Sequence, residues 1–121
     1  MMTILAATMV ALIALLHFYF LLLEMFFWDK PLGLRTFSTK PEFAKTSRTL
    51  AANQGLYNGF LAAGLIWGLS LGTNGNTIKI FFLICVIIAG VFGGLTASRR
   101  IFFIQAFPAI IALILILLAG N

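Results

Sequence analysis

Long apolar runs dominate this sequence, and only one sizeable polar stretch interrupts them. The first run extends from Thr3 to Trp28, and the polar stretch from Asp29 to Arg48 follows it. From Ile78 to Asn121 the chain contains only three charged residues. With 62% hydrophobic and 9% charged residues and a mean hydropathy of +1.11, the chain differs from soluble domains, in which about a quarter of the residues are charged. The sequence therefore predicts an integral membrane protein.

The lengths of the apolar runs predict four membrane-spanning helices, at about residues 3–28, 49–71, 78–97 and 100–119. A spanning helix needs about 20 apolar residues, and one helix from Ile78 to Asn121 would be about 65 Å long, twice the thickness of the hydrocarbon. The chain must therefore turn back, and Ser98 is the predicted N-cap of the fourth span. The expected fold class is all-α, a four-transmembrane-helix bundle forming a single domain over residues 1–121.

The basic residues predict the orientation of the spans. The first and third connections carry seven basic residues, whereas the opposite side carries only Lys79. By the positive-inside rule, the loop at residues 29–48 is cytoplasmic and both termini lie on the non-cytoplasmic side. Within that loop, Pro41 is expected to open a short interfacial helix. The net charge of +5 is interpreted as topology and contact with anionic lipid, not as nucleic-acid binding.

Polar residues inside the spans are predicted to form one layer in the cytoplasmic half of the membrane. His17 and Glu24 are seven residues apart, so they share a face of the first helix to within about 20°. Ionisable groups within a membrane are costly and mark candidate functional sites. The candidates for ligand binding or proton relay are His17, Glu24, Asn53, Gln54, Tyr57, Asn58, Arg99, Arg100 and Gln105. Pro108 is expected to remove a hydrogen bond to the Ile104 carbonyl and to kink the fourth helix.

Structural explanations compete with these functional ones. Asn and Gln side chains often only join neighbouring helices, and glycines spaced four apart allow close packing. Glu24 is equally explained by a pairing with Arg99 or Arg100, which themselves suit topology anchors. His17 is equally explained as a donor to a backbone carbonyl. These alternatives account for single residues better than for the whole layer.

The chain resembles a bacterial family of small four-span membrane proteins catalogued as a domain of unknown function, family thirteen-oh-four. The resemblance rests on H-x-Y-x-x-x-x-E-x-F-x-W over residues 17–28, on LAANQGLYNGFLAAGLIW over residues 50–67, and on the segment from Ser98 to Pro108. It covers nearly the whole chain and implies a multi-pass protein of the bacterial cytoplasmic membrane. It implies no activity and no ligand. A looser similarity is to small multidrug-resistance transporters, whose glutamate lies nearer the middle of the first helix.

Three functions are compatible with the sequence. The first is binding or transport of a small polar or amphiphilic molecule, with Glu24 exchanging a proton for a cationic ligand or relaying it through water to His17. The second is a structural or accessory membrane subunit. The third is an intramembrane enzyme that uses Glu24 and His17 as acid and base on a lipid-like substrate. We expect no cofactor and no metal; the expected partners are the lipid bilayer, a small-molecule ligand and a second copy of the chain bound through glycine-rich faces.

Overall fold

The computed structural model describes residues 1–119, and this part of the chain is all-helical and contains no strand. The all-α class predicted from the sequence is confirmed. The elements are α1 (Met2–Met25), α2 (Pro31–Phe37), α3 (Pro41–Thr46), α4 (Arg48–Ser70), a 3-10 helix (Gly72–Gly75), α5 (Asn76–Thr96) and α6 (Arg99–Ala119). The second turn of α6, Phe102–Ala106, is π-helical.

Three of these helical segments are long and apolar enough to cross a membrane. They are α1, the 3-10 helix together with α5, and α6. This composition is that of a membrane protein. Helix α4 has 23 residues, a length of about 35 Å, but Arg48 and three side-chain amides make its first half more polar. The count of four spans therefore stays a prediction.

The described chain divides into two compact units. One unit comprises residues 15–62, which include the end of α1, α2, α3 and the first part of α4. In it, Trp28 Nε1–H donates a hydrogen bond to Ser47 Oγ at 3.0 Å, and the Trp28 ring lies 5.1 Å from that of Phe37. Asp29 and Arg48 form an ion pair at 3.8 Å. The Trp28–Ser47 hydrogen bond and the ion pair join the two ends of the connection between α1 and α4.

Two prolines organise that connection. Pro31 and Pro41 stand at the starts of α2 and α3, and the lysine before each is extended. A proline suits the first helical position because it has no N–H to satisfy, and it disfavours helical backbone in the residue before it. Ser38 ends α2 with a left-handed φ of 52°. The helix predicted at Pro41 is thus present as α3. The connection also contains a helix that was not predicted, α2.

The other unit comprises residues 1–14 and the chain from residue 63 onward. Helices α5 and α6 pack antiparallel in it, with glycines of α5 against small or flexible groups of α6. A Cβ placed on Gly90 would lie 2.8 Å from Ala106 Cβ and 3.0 Å from Ala106 Cα, and Gly94 lies against Phe102. Because Gly90 and Gly94 of α5 have no side chains, these two helices can approach each other closely.

The turn into α6 has the cap that the sequence predicts. Ser98 is extended, and its Oγ accepts a hydrogen bond from the Arg100 N–H at 3.3 Å. The Ser98 N-cap is confirmed. Further along, the Phe107 N–H donates to the Phe102 carbonyl, a bond that closes the π-helical turn. This irregular turn stands directly before Pro108, which has no N–H for the helical ladder.

We predict that Gly90→Ala lowers the free energy of unfolding by about 1–2 kcal/mol, because the new methyl group meets the backbone of α6 and outweighs the better helix propensity of alanine. Reversible unfolding by sodium dodecyl sulfate from mild-detergent micelles, followed by circular dichroism, measures this change.

Gly59→Ala is the matched control for that substitution. Its Cβ would meet only the end of the Leu21 side chain, Cδ1 at 2.6 Å, which can rotate away. We expect the control to change stability by less than about 0.5 kcal/mol. Equal losses in the two variants would contradict the close contact at Ala106.

Candidate functional site

Glu24 and Asn58 form the polar contact at the centre of the candidate site. Glu24 lies in the last turn of α1, Asn58 lies in α4, and both belong to the unit of residues 15–62. The Asn58 Nδ2–H donates a hydrogen bond to Glu24 Oε1 at 2.5 Å. Asn58 is only 7% exposed, and Glu24 is half-buried. The structure thus brings together two of the residues predicted for the polar layer.

Two glycines of α4 face α1 beside this contact. A Cβ on Gly55 would lie 3.0 Å from Glu24 Cβ and 2.8 Å from Met25 Cγ. A Cβ on Gly59 would meet the side chain of Leu21. Because Gly55 lacks a side chain, α1 and α4 approach closely enough for a short asparagine to reach the carboxylate.

The partner of Glu24 is neutral, and this determines its chemistry. An amide orients a carboxylate by hydrogen bonding but does not cancel its charge, as an arginine would. Within residues 1–119, Glu24 Oε2 has no hydrogen-bond donor from the chain. The site therefore presents one carboxylate oxygen that can accept a hydrogen bond or face a cation.

The other predicted residues of α4 lie on its exposed surface. Asn53, Gln54 and Tyr57 are all exposed, and the Tyr57 ring packs at 5.9 Å against that of Phe60. Asn53 is five residues before Asn58, so it faces about 140° away from it on the helix. These three residues precede Asn58 on the same helix. Among the described residues, their side chains form no hydrogen bond to Glu24 or Asn58.

His17 occupies a different environment from Glu24. Its side chain is fully buried, at 0% exposure, and its ring meets that of Phe20 edge-on with centroids 5.5 Å apart. The residues one and two turns before it on the same stripe, Ala14 and Val10, are buried as well. The stripe of α1 that the sequence predicts to face inward is therefore buried along this length.

The predicted residues of α6 belong to the other unit. Arg99 and Arg100 are exposed in its first turn, where the Arg100 backbone is held by Ser98. Gln105 is partly buried and lies in the π-helical turn. Across residues 1–119 no group of three or more His, Cys, Asp or Glu side chains is arranged to hold a metal ion.

Lys79, which in the sequence indicates only topology, has a specific environment in the structure. The structure buries it to 6% exposure, and its Nζ donates hydrogen bonds to the Gly72 carbonyl at 2.9 Å and to Asn76 Oδ1 at 3.2 Å. A signal for this arrangement exists in the sequence. Asn76 lies three residues before Lys79, on the same helical face, and a glycine turn precedes both.

Comparison with known proteins places the chain in a family. The model of a family described as "Protein of unknown function (DUF1304)" matches residues 11–117. The chain is 36% identical over 115 residues to the "Uncharacterized protein YpaA" of Lactococcus lactis subsp. lactis (strain IL1403), covering 93% of this chain and 97% of that protein. No solved structure matches the chain. The family resemblance predicted from the sequence motifs is confirmed.

We predict that Glu24 and Asn58 are energetically coupled. In a double-mutant cycle with Glu24→Ala and Asn58→Ala, the coupling free energy should be about 0.5–2 kcal/mol, because each single substitution removes the same interhelical hydrogen bond. Unfolding by sodium dodecyl sulfate in micelles measures the four free energies.

Asn53→Ala provides the matched control because Asn53 has the same side chain on the same helix but faces elsewhere. Combined with Glu24→Ala, it should be additive to within about 0.5 kcal/mol. A cycle with Asn53 that couples as strongly as the cycle with Asn58 would contradict the specific contact.

Proposed function

Since the chain belongs to the family described as "Protein of unknown function (DUF1304)", which names no activity, we propose a function from its site. The protein binds a small polar or amphiphilic molecule in the membrane through Glu24 and Asn58. The observation that carries this proposal is the carboxylate of Glu24, held within a helix pair by the neutral Asn58 amide. An ionisable group in this setting is costly to keep and is typical of a functional site in membrane proteins.

The chemistry of the site favours a ligand with a cationic or hydrogen-bond-donating head. Glu24 Oε2 accepts a hydrogen bond from the head group or pairs with its positive charge, and the Asn58 amide fixes the carboxylate in position. The apolar residues of α1 around Glu24 suit an attached hydrocarbon chain. Asn53, Gln54 and Tyr57, exposed on α4, supply further hydrogen bonds to a larger head group. Transport of the ligand, with proton relay through His17, is the extension of this proposal.

The setting we propose is the bacterial cytoplasmic membrane, with four spans and both termini on the non-cytoplasmic side. The length of α4, 23 residues, is sufficient to cross about 30 Å of hydrocarbon. Asn58 of α4 would then face α1 and not lipid. Seven basic residues in the first and third connections against one on the other side support this orientation. Glu24 would then lie near the cytoplasmic surface.

A structural or accessory role is the second candidate, and the direct contact between Glu24 and Asn58 favours it. In this role the pair only joins α1 to α4, and partners bind elsewhere. Gly55 and Gly59 already contact Leu21, Glu24 and Met25 of the same chain. A homodimer would therefore use another face of the helices.

Binding of dodecylammonium tests the proposed function, with dodecanol as the neutral analogue of equal chain length. In micelles of the 15N-labelled protein, the side-chain amide signal of Asn58 should shift saturably with dodecylammonium and not with dodecanol. Glu24→Gln should weaken the binding at least tenfold, because it removes the charge and keeps the shape of the side chain.

Glu42→Gln is the control, since it makes the same chemical change at an exposed glutamate on α3. It should bind dodecylammonium as the unsubstituted protein does. If Glu24→Gln also binds unchanged while its stability falls, the ligand site is refuted and the accessory role is supported.

A further inference from the structure

A buried lysine lines a cavity in the unit formed by residues 1–14 and the chain from residue 63 onward. The cavity has a volume of about 90 Å³. It lies where the start of α1, the end of α4, the 3-10 helix, the start of α5 and the end of α6 come together. Its polar lining comes from Thr3, Thr73, Asn76 and Lys79, and the remaining lining is mainly small or aliphatic.

The unit that contains Lys79 has no Asp or Glu side chain to pair with it. The three acidic residues of the sequence are Glu24, Asp29 and Glu42, and all of them lie in the other unit. The ammonium group has three donors, and the chain supplies two neutral acceptors, the Gly72 carbonyl and Asn76 Oδ1. A buried cation is strongly favoured by an anion that accepts its remaining hydrogen bond.

The position of Lys79 suits an anion at the membrane surface. Lys79 is the fourth residue of α5, about 4.5 Å from the start of that helix. Its side chain reaches back to Gly72, in the turn before the helix. The ammonium group therefore lies at the end of the span, at the depth where lipid headgroups and dissolved anions are found.

We propose that this cavity is a binding site for a phosphate-type oxyanion, carried by a free anion or by the headgroup of an anionic lipid. Lys79 supplies the charge, while the Thr3 and Thr73 hydroxyls and the Asn76 amide supply further hydrogen bonds. A volume of 90 Å³ corresponds to about three water molecules. That space accommodates a single oxyanion group, and an attached hydrocarbon chain must remain outside.

The thermal unfolding midpoint of the protein tests this site with two probes. For the free anion, inorganic phosphate is compared with sodium chloride at equal ionic strength, in micelles of a neutral detergent. For the lipid, phosphatidylcholine nanodiscs are compared with and without phosphatidylglycerol. At least one probe should raise the midpoint; the responding probe identifies whether the anion is free or lipid-borne. No shift with either probe would overturn the proposal.

Substitutions test whether the shift of the unfolding midpoint depends on the cavity. Lys79→Met removes the charge at similar length and should weaken the binding at least tenfold. Ala7→Leu keeps the lysine but fills the cavity, so it should weaken binding as well and covers the case in which Lys79→Met does not fold. Lys45→Met removes one exposed charge and should respond like the unsubstituted protein. Equal shifts in the Ala7→Leu and Lys45→Met proteins would overturn the site in favour of general electrostatics.

Discussion

Hydrocarbon offers no hydrogen bonds, and the long helices of this chain depend on that constraint. A regular helix satisfies its own backbone, so specific side-chain contacts appear where regularity ends. At the start of α6, Ser98 accepts from the Arg100 N–H and replaces a missing partner. Before Pro108, the Phe107 N–H reaches back to the Phe102 carbonyl. At both irregular points, the substitute hydrogen bond is therefore formed by residues within about one helical turn.

Those local features are also the ones that the sequence predicts best. Ser98 before two arginines indicates a cap, Pro108 indicates a disturbed helix, and Pro41 indicates a helix start, because each depends only on neighbouring residues. Pro31 carries the same signal as Pro41, and the structure places a helix there too. The start signal of α2 is weaker, because its first turn has no acidic residue, whereas Glu42 follows Pro41 in α3.

Contacts between helices could be predicted only in part. The sequence indicates that Glu24 needs a polar partner, but Asn53, Gln54, Tyr57 and Asn58 are all near the right depth. The choice of Asn58 depends on the rotation of α1 against α4, which is determined by close packing in three dimensions, as at Gly55. The burial of Lys79 has the same origin. Its acceptors, Gly72 and Asn76, are local in sequence, but the cavity beside it requires residues from both ends of the chain.

Glu24 and Lys79 are both hydrogen-bonded to neutral groups, and this bears on what they can bind. Glu24 is bonded to an amide, and Lys79 is bonded to a carbonyl and an amide oxygen. Neutral partners orient a charge without neutralising it, whereas an ion pair would do both. A carboxylate oriented in this way gains from a cation, and an ammonium group gains from an anion. The unit that contains Lys79 has no Asp or Glu, so no side chain of that unit can supply the counter-charge of its ammonium group.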